Sequence, residues 1–248
     1  MADRKIPLIL SVKAENWRMH DASSQQSDAE FKHVRLRALE RDNYTCQACG
    51  FRNPTWQEVH HVDDNHANNE LSNLATLCPF CHMVQHIGLA GYSGEAVLAF
   101  IPEISQADLH HLVRTILYGK DWANTAASGR NADIDTIRTS REVREAAEAL
   151  EADLRARVVE SERVLGTSSP LELANILQRV ANDRPESYAR RGDFLHGIRL
   201  LPLGTRRDES GDVMAKMIAS WSQTGGAYAG FNPRSWLGMC KAARINMR

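Results

Sequence analysis

Between Cys46 and His86 the chain concentrates ligands for metal ions. Cys46 and Cys49 form one Cys-x-x-Cys pair, Cys78 and Cys81 form another, and 28 residues separate them. Each pair can place two thiolates on one ion. Four thiolates complete a closed tetrahedron, the geometry of structural zinc, with Zn–S near ~2.3 Å. A redox dithiol normally occurs once, so a second pair favours zinc over redox chemistry or buried free thiols. A closed set has no open coordination position, so this site is expected to hold the fold and do no chemistry. Cys240, alone near the C-terminus, reads as an ordinary buried thiol.

The stretch 59–86, "VHHVDDNHANNELSNLATLCPFCHMVQH", adds five histidines. His60 and His61 are neighbours on what reads as a strand, so their side chains face opposite sides. His82 and His86 lie one turn apart on a helix and look the same way. His60 can join them on one ion, which leaves His61 aimed elsewhere, toward a substrate. Three neutral imidazoles with open positions are a catalytic kind of site. A metal there can neutralise a phosphodiester oxygen and the departing alkoxide. A histidine beside it can take a proton from water, because its pKa lies near neutrality. Asn73 lies on the stretch leading into the helix, where its amide is expected to brace the loop and hold the His61 backbone. The plainer alternative is that these histidines only support the zinc fold. His66, in the polar loop, is read as solvent-exposed, and His110 and His111 as packing or surface residues.

Positioning these groups requires a small set of elements. Residues 6–13, "IPLILSVK", look like a strand. Residues 21–28 are a polar loop, and 28–41 a helix with Asp28 as its N-cap and Phe31, Val34, Leu36 and Leu39 as apolar positions. A short strand then enters the first cysteine turn, where Gly50 lets the backbone reverse. Residues 55–62 return as a strand, and a helix begins at the second cysteine pair, so its free N–H groups and dipole favour thiolates there. Knuckle, hairpin and helix together make a treble-clef plan.

Further on, the sequence predicts a strand over 95–101 and a helix from Ser105 to Tyr118, capped by Ser105 with Asp108. A small-residue linker over 123–135 and a long helix over 139–165 follow. Next comes a helix opened by Ser169 and Pro170, then one around Tyr188–Arg199 that leads into "IRLLPLG" and is stopped by Pro202 and Gly204. A last helix, in "DVMAKMIASWSQTGG", is closed by Gly225 and Gly226. The expected fold class is α+β: a ββα-metal zinc core with mainly α-helical N- and C-terminal additions. Its division is a zinc-binding domain over 1–122 and a helical domain or extension over 136–248.

The formal net charge is −1, so any nucleic-acid contact must come from a local patch. Lys32, Arg35, Arg37 and Arg41 near the knuckle are the candidates for meeting phosphate, with a solvated helix face as the plainer reading. Five cysteines at this spacing argue for a reducing compartment and against a secreted disulfide framework. The apolar run "IPLIL" is too short to span a membrane and no small-residue cleavage site follows it, so a cytoplasmic protein without its own membrane anchor is expected.

Two resemblances sharpen this reading. "RDNYTCQACG … EVHHV … LSNLATLCPFCHMVQH", over residues 40–86, resembles an HNH endonuclease motif in its form with a four-cysteine zinc. That resemblance makes His61 the general base, Asn73 the middle residue of the motif, and His60, His82 and His86 ligands of a second divalent ion, Mg²⁺, Mn²⁺, Ni²⁺ or Zn²⁺. The same region with "AGYSGEAVLAFIPEISQADL" and "IRLLP" before "AKMIASW" resembles the IcmJ/DotN family, over roughly residues 30–222. This family consists of accessory proteins of type IVB secretion and related conjugation systems. The resemblance implies an HNH-like zinc fold in a cytoplasmic coupling complex recruited to the inner membrane. It also implies partners: the C-terminal tail of the coupling ATPase and other proteins of the complex. In that family the nuclease residues tend to be eroded, whereas His60, His61, Asn73, His82 and His86 all stand here. The expected function is therefore an adaptor of a secretion or conjugation coupling complex. The alternative is an active metal-dependent HNH endonuclease with DNA as its partner.

Overall fold

The computed structural model describes residues 6–12, 24–65, 67–129 and 132–246. In chain order the elements are α1 (Ser24–Arg41), β1 (Glu58–His61), a 3₁₀ turn (Leu71–Asn73), β2 (Leu74–Leu77), α2 (Pro79–Gln85) and α3 (Ile87–Tyr92). They continue with β3 (Ala96–Phe100), α4 (Gln106–Ala127), α5 (Ile134–Leu165), α6 (Pro170–Asp183), α7 (Pro185–Ala189) and α8 (Arg191–Phe194). The last are β4 (Ile198–Pro202), β5 (Arg207–Asp208), β6 (Gly211–Asp212), α9 (Met214–Trp221) and α10 (Pro233–Asn246). Among the described residues this is a mixed fold of many helices and three two-stranded sheets. The chain forms two compact units, one of Met1–Tyr92 with Pro170–His196, the other of Ser93–Ser169 with Gly197–Arg248.

In the first unit, α1 lays Phe31, Val34, Ala38 and Leu39 against Val59 and Leu74 of the hairpin. These positions recur at helical spacing and form one stripe. Leu36 falls off that stripe and is 47% exposed, contrary to its expected apolar role. Asp28 lies inside α1 rather than at its cap, because the helix begins at Ser24. The expected strand at 6–13 is not a ladder over its described residues, 6–12. Its backbone is tied singly, Ile6 N–H to Gln47 O at 3.1 Å and Ser11 N–H to Val84 O at 2.9 Å. Side chains complete the tie: Tyr188 bonds both backbone groups of Val12, and Arg191 donates to Leu10 O and Ser11 Oγ. An apolar run alone does not show whether a partner strand exists. The surface reading of His66 lies outside the described residues.

Two of the four basic residues near the knuckle hold the hairpin and so are committed to the fold. Arg41 donates to Leu71 O at 2.6 Å and Leu74 O at 2.8 Å and forms a forked pair with Asp42. Arg35 donates to Gln57 O at 2.9 Å. Lys32 and Arg37 are exposed. Burial pushes the Asp42 carboxyl up, but Arg41 and the N–H and hydroxyl of Thr76 pull it below its ordinary range. A depressed folded pKa means this contribution is fully present above the unfolded value, near ~4, and is lost as pH falls through the folded one. Urea unfolding of Asp42→Asn should therefore show a stability deficit at pH 7 that shrinks below pH ~4, where wild type and variant converge. A deficit independent of pH would contradict the assignment.

In the second unit, β3 and β4 pair antiparallel, Leu98 opposite Leu200. Leu98, Leu200 and Ile101 are wholly buried, with Leu109, Val113 and Ile116 of α4 and Val143, Ala147, Leu150 and Leu154 of α5. The outer groups of the sheet are covered locally: Ser168 O accepts from Leu98 N–H, and the Gln106 amide bonds both backbone groups of Leu200. Ser105 caps α4 as expected, accepting from Asp108 N–H and donating to its carboxylate. The helix runs to Ala127, through part of the expected linker. "IRLLP" is a strand, not the end of a helix. Gly197, at φ +82°, breaks the chain just before it, and β3 supplies its partner. His110 is fully buried and bonds Gln106, a packing role. Cys240 is buried, and that burial pushes its thiol up to about 11.

Candidate metal centres

The four cysteines come together. Their sulfurs lie within 4.8 Å of one another, with Cys49 and Cys78 at 3.8 Å. The first pair sits on a tight knuckle. Gly50, at φ +76°, returns its N–H to Cys46 O at 2.8 Å, Cys46 N–H reaches Phe51 O at 3.0 Å, and Cys49 N–H points at Cys46 Sγ. A left-handed conformation without a Cβ penalty is what this reversal needs. The second pair opens α2, with Cys78 as its N-cap, Pro79 at the first position and Cys81 in the first turn. Gln47 N–H to Thr76 O joins the knuckle to β2. Cys46, Cys78 and Cys81 are at most 2% exposed. The thiols of Cys46, Cys49 and Cys78, and then burial, push Cys81 well above its ordinary value. Four neighbouring thiols cannot all ionise without a cation among them, so the donor set fits a metal such as zinc.

The second cluster is His60, His82 and His86, whose ligating nitrogens also lie within 4.8 Å of one another. Ring centroids are 4.8 Å apart for His82 and His86, and 5.5 Å from His60 to each. The hairpin sets this geometry. His60 pairs with Ala75 and His61 with Leu74, so the two histidines face apart. His82, in the last turn of α2, and His86, its C-cap, both lie beside His60. Three imidazoles leave open positions on an ion and so admit a water or a phosphate oxygen.

His61 is 5% exposed. Its ring stacks on Phe31 of α1 at 5.2 Å, and its Nε2 lies 3.0 Å from Asn69 Oδ1. Asn73 braces the loop between the strands. It accepts from Asp63 N–H at 3.1 Å, donates to the Asp63 carboxylate and Asn68 O, and its backbone oxygen takes Val62 N–H. Its bonds thus fall on Val62 and Asp63, one and two residues beyond His61, and on Asn68, not on the His61 backbone. Asn69 and Asp63 were not among the residues singled out from sequence, and Phe31 was expected only as an apolar position of its helix.

Glu58 was also missed. Its Oε2 lies 2.5 Å from His82 Nδ1. A signal existed: Glu58 is two residues before His60 on a strand, hence on the same face.

No family model matches the chain. It is 31% identical over 207 residues to the type 4 apparatus protein DotN of Legionella pneumophila subsp. pneumophila, an alignment spanning 82% of this chain and 87% of that protein. It is also 46% identical over 43 residues to the H-N-H endonuclease F-TflIV of Escherichia phage T5, covering 16% of this chain and 19% of that protein.

Proposed function

Because the chain belongs to the DotN family of type 4 apparatus proteins, we propose that it acts as an adaptor in the coupling complex of a type IVB secretion or conjugation system. In this reading it binds the C-terminal tail of the coupling ATPase and neighbouring proteins of the complex, and reaches the inner membrane from the cytoplasm through them. The observation that carries the reading is the extent of the DotN likeness, which reaches far beyond residues 40–86 into the helical parts that a minimal nuclease does not need. Among the described residues no helix is long and apolar enough to cross a membrane, which suits recruitment by partners. The core is a treble clef whose knuckle, hairpin and α2 are held by zinc on Cys46, Cys49, Cys78 and Cys81.

A second reading is a metal-dependent HNH endonuclease. The histidine cluster and the likeness to the phage enzyme favour it. Under it His60, His82 and His86 hold a divalent ion that supplies charge neutralisation to a phosphodiester, His61 takes a proton from water, and Asn73 fixes the loop that carries His61. A general base must come within hydrogen-bond reach of the proton it removes. The cover of Phe31 and the Asn69 contact on His61 Nε2 weigh against that step and for the adaptor.

The test has two arms. The purified protein should bind a peptide of the coupling ATPase tail at micromolar concentration, measured by fluorescence anisotropy, and lack of binding would reject the adaptor. Supercoiled plasmid should stay intact with Mg²⁺, Mn²⁺, Ni²⁺ or Zn²⁺. Nicking that disappears in His61→Ala would establish the nuclease instead.

A further inference from the structure

We propose that Glu58 is a positioning residue for the histidine cluster, fixing His82 as the Nδ1–H tautomer so that Nε2 is presented to a divalent cation. The inference deepens the reading of His60, His82 and His86 as metal ligands and rests on it. The carboxylate oxygen and ring nitrogen are 2.5 Å apart, a short contact of a charged acceptor with a ring donor. Both side chains are about three-quarters buried, at 25% and 23% exposure, so water competes weakly for that bond. A carboxylate can only accept, so the proton of a neutral imidazole must sit on Nδ1 and the lone pair on Nε2. The carboxylate also stops the ring from turning.

The placement follows from the strand. Glu58 and His60 share one face of β1, and α2 packs His82 and His86 against that face. One strand thus supplies both a ligand and the group that aims a ligand on the neighbouring helix. In the four-cysteine site the sulfurs face one another, and the Cys49 N–H of the knuckle points at Cys46 Sγ. A neutral imidazole has two possible tautomers and needs an external acceptor to choose between them.

The experiment titrates Zn²⁺ into the full chain already carrying zinc on its cysteines, by calorimetry, for wild type, Glu58→Gln, Glu58→Ala and His60→Ala. Nitrogen-15 spectra of the zinc-loaded wild type report the His82 tautomer. Wild type should take up a second zinc that His60→Ala loses. Glu58→Ala should bind it 10- to 100-fold more weakly, on the order typical for such outer carboxylates. Glu58→Gln should fall between, because its amide oxygen still accepts from Nδ1 but carries no charge. Wild type with no second zinc would overturn both the metal reading and this proposal. A second zinc bound equally by wild type and Glu58→Ala would overturn the proposal and leave the site standing. Should Glu58→Ala fail to fold, the wild-type tautomer decides: a proton on Nε2 overturns the role, a proton on Nδ1 supports it.

Discussion

Cys81→Ser is expected to strip the chain of the zinc proposed for its four cysteines and to abolish cooperative unfolding of the first unit. Cys81 is wholly buried and shares a sulfur cluster with Cys46, Cys49 and Cys78. Those three neighbours and burial push its thiol well above the ordinary range, so the four sulfurs ionise together only with a cation among them. A serine oxygen is a poor, normally protonated donor and leaves three thiolates on an incomplete tetrahedron. Structural zinc sites contribute about 10–16 kcal/mol at neutral pH, whereas whole domains are stable by about 5–15 kcal/mol. Loss of the site is therefore comparable with the whole stability of such a unit. The knuckle would open first, because two of the four ligands, Cys46 and Cys49, sit on its short reversal. Metal analysis and thermal unfolding would check this, and a folded variant with wild-type zinc content would refute it.

Trp221→Ala is expected to cost about 3–5 kcal/mol in the second unit, the range for removing a buried tryptophan. Trp221 is 2% exposed and ends α9. Its carbonyl accepts from Tyr228 N–H at 2.9 Å and its ring lies 6.0 Å from that of Tyr228. Tyr228 in turn stacks on Tyr118 of α4 at 4.8 Å, and Phe231 packs edge-on to the same ring. The cavity would thus undermine an aromatic group that fastens residues 222–232 to α4. Urea unfolding should show a clear drop in stability while the zinc-to-protein ratio stays that of wild type. An unchanged midpoint would show that α9 is not part of that core.

The cysteine and histidine spacings were legible in the sequence because ligand geometry is local. Three residues apart in a turn, four apart on a helix and alternate on a strand each fix a direction without knowledge of the rest. The helix at 28–41, the strand at 95–101 and the capped start of α4 were legible for the same reason: apolar period and cap chemistry are short-range. Leu36 and "IRLLP" show the limit. Leu36 sits beside an apolar stripe whose angular position depends on where Val59 and Leu74 lie. Residues 198–202 became a strand because β3, a hundred residues earlier, offers a free ladder.

By itself the sequence pointed to a set of four cysteines and a set of three histidines between residues 46 and 86, and the fold brings each set together. Only the tertiary structure decided how those side chains are aimed and covered. It set Glu58 on His82, Phe31 and Asn69 on His61, turned Arg35 and Arg41 from phosphate candidates into clasps on carbonyls, and brought 170–196 back to the first unit. The physical reason is range. Coordination and periodicity are governed by bonds a few residues long. Burial, ring stacking and the choice of hydrogen-bond partner depend on surfaces that meet only when distant segments pack.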